Sequence, residues 1–172
     1  MGKITFILGG VRSGKSELAI KLAKANYKRV AFVATCLGLD NEMRRRISRH
    51  KKFRPNHWQT FENPKDLGLL LKRMGTKFEV IIIDCLTIWL SNLVLKGIKE
   101  KAIAQKLKET GAVLKKIKAA SIIVSNEVGL GIVPENKLAR EFRDIAGRMN
   151  QIVAENSDAV FFMISGIPWR VK

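Results

Sequence analysis

The chain has 172 residues, 47% of them hydrophobic and 27% charged, and carries a formal net charge of +17. This length and balance read as one globular, soluble domain over residues 1–172. They exclude a membrane-spanning protein, because no apolar run approaches the ~20 residues that a spanning helix requires.

The charge leaves three readings open: nucleic-acid binding, binding of small polyanions, or a Lys-rich solvated surface of the kind found in heat-adapted proteins. Strand and helix patterns alternate from end to end, which argues for a parallel sheet covered by helices. Ile4 to Leu8 is a short buried-strand pattern that runs into a glycine-rich motif. It therefore reads as a first strand and not as a signal peptide, and the protein is expected in the cytoplasm.

The motif is Gly9-Gly10-Val11-Arg12-Ser13-Gly14-Lys15-Ser16, a match to G-x-x-x-x-G-K-[ST] placed between a strand and a helix of about Lys15 to Ala25. Glycines let consecutive backbone amides converge on phosphate oxygens, and the helix N-terminus adds partial positive charge. Lys15 is expected to reach the terminal phosphates and Ser16 to offer its hydroxyl to Mg²⁺. A dinucleotide-binding loop is disfavoured, since Val11 stands where G-x-G-x-x-G needs its second glycine.

Arg29 to Ala34 reads as a second strand, and Asp40 to about Lys52 as a very polar helix stopped by Pro55. Trp58 to Phe61 suggests a small strand, and Pro64 to Met74 a helix with Leu67, Leu70 and Leu71 inward. Phe78 to Asp84 contains the unbroken run Val80-Ile81-Ile82-Ile83, suited to a strand buried on both faces. Asp84, at its end, is the natural carboxylate for a metal; the competing reading is an ordinary helix N-cap.

Helices over roughly Leu86 to Leu95 and Glu100 to Lys118 follow, then a buried strand from Ser121 to Ser125. A long helix carries Leu138, Phe142, Ile145, Met149 and Ile152 as an apolar stripe. The chain closes with a strand at Ala159 to Ile164, a turn at Gly166 to Pro168 and a short hairpin strand reaching Val171. The resulting expectation is an α/β fold of the P-loop NTPase type, its mostly parallel central sheet flanked by helices and ending in a short antiparallel edge strand.

Cys36 and Cys85, far apart and in no C-x-x-C spacing, read as reduced thiols. His50 lies in the densely basic stretch Arg44 to Arg54. Neighbouring cations disfavour protonation of an imidazole, so His50 can stay neutral and nucleophilic while the same cations hold phosphates. On composition alone, a surface histidine on a basic helix is the favoured reading. His57 reads as structural.

These residues resemble the bifunctional adenosylcobinamide kinase/adenosylcobinamide-phosphate guanylyltransferase family of cobalamin biosynthesis. The resemblance rests on the glycine loop, on Ala34-Thr35 with Asp40-x-Glu42-Met43, and on Ile47-x-x-His50-Lys51-x-x-Arg54-Pro55-x-His57-Trp58. It extends to Asp84-Cys85-Leu86-Thr87, Asn92-Leu93, Ser125-Asn126-Glu127-Val128-Gly129-x-Gly131-Ile132-Val133-Pro134-Glu135-Asn136, Phe142-Arg143-Asp144-x-Ala146-Gly147-x-x-Asn150-Gln151 and Ser165-Gly166.

The resemblance implies phosphorylation of adenosylcobinamide with ATP or GTP, then GMP transfer from GTP through a guanylylated histidine at the position of His50. It also implies nucleotide contacts at Gly9, Gly10, Val11, Arg12, Ser13, Gly14, Lys15 and Ser16, at Ala34, Thr35 and Cys36, at Lys51, Lys52, Phe53 and Arg54, and at Glu62 and Asp84. His50 and Lys15 are the implied catalytic residues, and Ser16 and Asp84 the implied Mg²⁺ ligands.

Its implied partners are GTP or ATP and a corrinoid, with no nucleic acid, no membrane span and a homo-oligomer, by resemblance a trimer. Arg44, Arg45, Arg46 and Arg49 exceed the family's usual charge, and about Gly97 to Lys118 matches no motif. A plain P-loop small-molecule kinase and a nucleic-acid-binding ATPase are the alternatives; Phe53 alone interrupts the basic run, which disfavours the latter.

Overall fold

The computed structural model describes residues 2–37, 41–62, 66–74 and 76–172. Its strands are β1 (Ile4–Gly9), β2 (Val30–Ala34), β3 (Gln59–Glu62), β4 (Val80–Asp84), β5 (Ala120–Val124), β6 (Ala159–Ile164) and β7 (Ile167–Arg170). The helices are α1 (Lys15–Asn26), α2 (Asn41–Lys52), α3 (Leu67–Met74), α4 (Leu86–Val94), α5 (Glu100–Lys116) and α6 (Lys137–Glu155). Asp40 and Pro64, at the expected starts of two helices, lie outside the described residues.

The strands form one sheet in the order β3-β2-β4-β5-β1-β6-β7, parallel throughout except for the last pair. Continuous apolar runs such as Val80-Ile81-Ile82-Ile83 become central strands because both sheet faces are covered, so inward and outward positions alike are apolar.

Alternation along each strand sorts the side chains onto two faces. Phe6, Ala31, Val33, Ile81 and Ile83 join the apolar faces of α3, α4, α5 and α6 in one core. Ile7, Val30, Phe32, Val80 and Ile82 join Ala19, Ile20 and Ala23 of α1 in the other.

Because six strands run parallel, their C-terminal ends share one edge, where ligands of open α/β sheets bind. That edge sets side by side the end of β2 at Ala34, of β4 at Asp84 (its Ala34 neighbour in register), of β5 at Val124 and of β1 at Gly9.

Two expectations need correction. The closing turn is Ser165–Gly166, with φ of 49° and 88°, and Pro168 lies inside β7 opposite Met163. A two-residue hairpin loop that matches the twist of its strands needs positive φ at both positions. Proline is tolerated in β7 because it is an edge strand. In α6, Ile145, Met149 and Val153 are buried while Leu138, in the first turn, is exposed, so the apolar stripe is covered only along the later turns of the helix.

Candidate active site

Gly9 leaves β1 at φ 152°, Arg12 takes φ 55°, and Gly14 opens α1 at φ 90°. This backbone wraps the loop around the first turn of α1, where amides have no partner within the helix. A side chain at Gly9 would put its Cβ 2.7 Å from the Met163 carbonyl oxygen and 2.7 Å from Ser13 Oγ. The Ser165–Gly166 turn braces the other side, the Gly166 amide donating to the Ser13 carbonyl at 3.1 Å. Ser13 Oγ itself is buried without a hydrogen-bond partner.

Lys15 is buried, and its Nζ donates to the Gly10 carbonyl at 2.6 Å. Burial lowers its pKa, while the neighbouring Cys85 and Asp84 act in the opposite direction. Asp84 is therefore near enough to the phosphate-loop lysine for its charge to act there. It does not cap α4: the capping position is Cys85, whose side chain makes no capping bond.

Thr35 locks the ends of β2 and β4 together. Its hydroxyl donates to the Cys85 carbonyl at 2.7 Å and accepts from the Cys85 amide at 2.8 Å, and its own amide donates to the Asp84 carbonyl at 3.1 Å. Asn92 of α4 adds a bond from Nδ2 to the Thr35 carbonyl at 3.0 Å. Ala34 is buried at the end of β2, and Cys36 is half-buried next to this clasp.

The basic segment reaches the same edge. Lys51 Nζ pairs with Glu62 Oε1, at the end of β3, over 2.5 Å. The Arg54 guanidinium stacks on the Phe32 ring at 3.5 Å from the centroid, and its Nε and Nη1 are buried without hydrogen-bond partners. Burial lowers the Arg54 pKa, opposed by the charges of Asp84 and then Glu62.

The charge of Asp84 is thus felt by both Lys15 and Arg54. His50 belongs to α2, but its side chain, like those of Arg46 and Arg49, lies outside the described residues. Val11, Lys52 and Phe53 are exposed, and so is His57, which has no role in the core; its neighbour Trp58 is buried.

Four polar residues at this edge were not singled out as site residues by their sequence. The Asn126 amide donates to Thr87 Oγ1 at 2.6 Å, Thr87 meets Ser125 Oγ at 3.0 Å, Ser125 Oγ donates to Asn150 Oδ1 at 2.8 Å, and Asn150 Nδ2 returns to the Asn126 carbonyl at 3.2 Å. The Glu127 amide then donates to the Gly9 carbonyl at 3.0 Å, fastening this corner to the glycine loop. Their signal was an asparagine within the apolar stripe of α6 and a threonine among the leucines of α4.

Among the described residues no three or more His, Cys, Asp or Glu side chains gather as a metal cage. The donor set suits a cation that takes one or two protein oxygens and completes its shell with phosphates and water. No helix among the described residues is long and apolar enough to cross a membrane.

A parallel sheet with a Gly9–Ser16 phosphate loop, and a carboxylate at the tip of a strand one place removed, defines a P-loop nucleotide-binding α/β protein. The RadB recombinase crystal structure shares this fold, with TM-score 0.56 at 15% identity over 94% of this chain and 74% of that one. A family model described as "Cobinamide kinase / cobinamide phosphate guanyltransferase" matches residues 5–171.

The bifunctional adenosylcobalamin biosynthesis protein CobP of Pseudomonas aeruginosa is 39% identical over 166 residues, covering 96% of this chain and 95% of that protein. The CobU proteins of Salmonella typhimurium and Escherichia coli are each 38% identical over 178 residues, covering 96% of this chain and 98% of theirs. The chain belongs to the cobinamide kinase/cobinamide phosphate guanyltransferase family and is a transferase of cobalamin biosynthesis.

Proposed function

We propose that the protein phosphorylates the free hydroxyl of adenosylcobinamide with ATP or GTP and then transfers GMP from GTP to the new phosphate through a covalent His50–GMP intermediate. The observation that carries this reading is the closeness of Asp84 to both Lys15 and Arg54, each of which feels its charge. It joins the phosphate loop and the segment just beyond His50 in one anionic-ligand site.

In the kinase step the loop amides and Lys15 bind the triphosphate and offset charge on the transferred phosphoryl group. Ser16 and Asp84 are the oxygens that would hold Mg²⁺, which when bound supplies further charge neutralisation at the phosphates. Ser13 Oγ and the free Nε and Nη1 of Arg54 are donors suited to phosphate oxygens. Thr35 fixes the strand ends and so the aim of Asp84.

In the second step a neutral His50 nitrogen attacks the α-phosphorus of GTP, a P–N bond forms, and the bond to pyrophosphate breaks. A phosphate oxygen of the corrinoid then attacks the same phosphorus and the P–N bond breaks, restoring the imidazole. Splitting the transfer this way gives each displacement a good nucleophile or leaving group.

The test is incubation with α-labelled GTP and Mg²⁺. Wild type should acquire an acid-labile, alkali-stable label and His50→Ala none. Label that persists in His50→Ala would reject the intermediate, and phosphoryl transfer without any label would leave a plain kinase.

A further inference from the structure

We infer that the segment after β5, from Leu130 to Val133, is an apolar lip that seats the corrin macrocycle of the acceptor substrate beside the phosphate loop. The inference rests on the corrinoid reading above. Leu130 is 79% exposed, Ile132 95% and Val133 63%, and Leu138 on the first turn of α6 is exposed as well. Single apolar side chains on a surface are ordinary, but several in one short segment mark a site of contact.

The segment is held in place from both ends. Arg143 of α6 donates from Nη1 to the Ile132 carbonyl at 3.1 Å and to the Gly131 carbonyl at 3.4 Å. Arg140 donates from Nη1 to the Pro134 carbonyl at 2.9 Å and the Glu135 carbonyl at 2.5 Å. On the other side the Gly129 amide donates to Glu127 Oε1 at 2.8 Å, and the Glu127 amide is bonded to the Gly9 carbonyl at 3.0 Å.

Two guanidiniums therefore satisfy backbone carbonyls of a loop whose apolar side chains stay in water. Such ordering before binding lowers the entropic cost of docking a rigid ligand.

The occupant follows from position and chemistry. The lip is continuous, through Glu127 and Gly9, with the loop that binds the phosphoryl donor, so a molecule resting on it can present a hydroxyl to that donor. Cobinamide has the matching form: a broad ring bearing methyl groups and neutral amides, with its reacting hydroxyl on a flexible side arm. A second copy of the chain is the competing occupant.

The experiment compares wild type, the double variant Leu130→Ser/Ile132→Ser and the conservative Ile132→Leu. Equilibrium binding of cobinamide, KM for cobinamide and for the triphosphate, labelling by α-labelled GTP, and mass in solution are measured for each. The double variant should bind cobinamide and show KM for it weaker by about tenfold or more. Triphosphate KM and GMP labelling should stay at wild-type levels, and Ile132→Leu should behave as wild type.

Cobinamide binding equal in wild type and double variant would overturn the lip while leaving the corrinoid reading intact. A changed mass in solution with unchanged cobinamide KM would assign the lip to a second copy and overturn it. A wild type that neither binds nor phosphorylates cobinamide would overturn the corrinoid reading and the lip with it.

Discussion

Thr87 and Asn150 hold the Ser125 hydroxyl between them. Thr87 Oγ1 lies 3.0 Å away and Asn150 Oδ1 2.8 Å, and the chain of bonds starts and ends on the backbone of Asn126. Because the Asn126 amide occupies Thr87 Oγ1 as acceptor and Ser125 donates to Asn150, every hydroxyl hydrogen has a defined direction. Thr87, Ser125 and Asn150 are buried, and a closed ring leaves none of these polar groups unpaired.

Asn150→Leu should therefore destabilise the fold by about 1–3 kcal/mol, since it strands the Ser125 donor and the Asn126 carbonyl. Combined with Thr87→Val the loss should be less than additive, because both changes break one network. Denaturant unfolding of the two single variants and the double variant measures this; strict additivity would count against a cooperative ring.

The elements legible in the chain were those whose spacing encodes geometry. Gly9 to Ser16 could be placed because the glycines, the lysine and the serine each occupy the position that phosphate cradling demands, and Val80 to Asp84 because only a strand covered on both faces tolerates so apolar a run. Patterns of breaker residues were less informative. Gly166 and Pro168 suggested the turn, whereas Ser165 adopts the left-handed conformation and Pro168 pairs in the edge strand.

Leu138 continues the apolar period of α6 but is left exposed in the first turn of the helix. The Thr87–Ser125–Asn150 ring was invisible for a further reason: it joins three elements distant in sequence, and no local period records such a meeting.

Gly9→Ala should disable the phosphate loop. At φ 152° the added Cβ would sit 2.7 Å from the Met163 carbonyl oxygen, a backbone atom of the adjacent strand that cannot swing aside as a flexible side chain could. Either β6 shifts or the loop does, and a small displacement of phosphate-binding amides costs orders of magnitude in rate. Triphosphate affinity and kinase rate should both fall by about 100-fold or more, with a lowered melting temperature. An active, fully stable alanine variant would show that this close approach is not a constraint.

Lys15→Met separates binding from stability. Burial holds the Lys15 pKa below 10.5, so the folded state disfavours the ammonium. For such a group the destabilising contribution is present at neutral pH and disappears only as pH rises through the lowered folded value towards 10.5.

Replacing it should leave stability at pH 7 unchanged or higher, while kcat in the kinase step drops by about 10²–10³. The Gly10 carbonyl, which loses its donor, is at an exposed residue and can turn to water. A strong loss of stability in Lys15→Met would mean that the ammonium supports the fold.

Cys85 provides a test that needs no substrate. Burial, reinforced by the negative field of Asp84, pushes its thiol from 9.0 up to about 12. Iodoacetamide at pH 8.5 should therefore leave Cys85 untouched in the native protein and modify it once denaturant is added, because only the thiolate reacts.

The linkage has a definite sign. Below about pH 9 the thiol is protonated in both states and its titration does not affect stability; above that value the unfolded chain ionises while the folded one does not. Stability contributed by the neutral thiol is then lost as pH rises towards about 12. Relative to Cys85→Ser, whose hydroxyl does not titrate there, wild type should lose about 1.4 kcal/mol for each pH unit in that window. Parallel stability curves for the two proteins, or alkylation of Cys85 in the native state, would show that the strand end beside Asp84 is open to water and that Thr35 does not seal it.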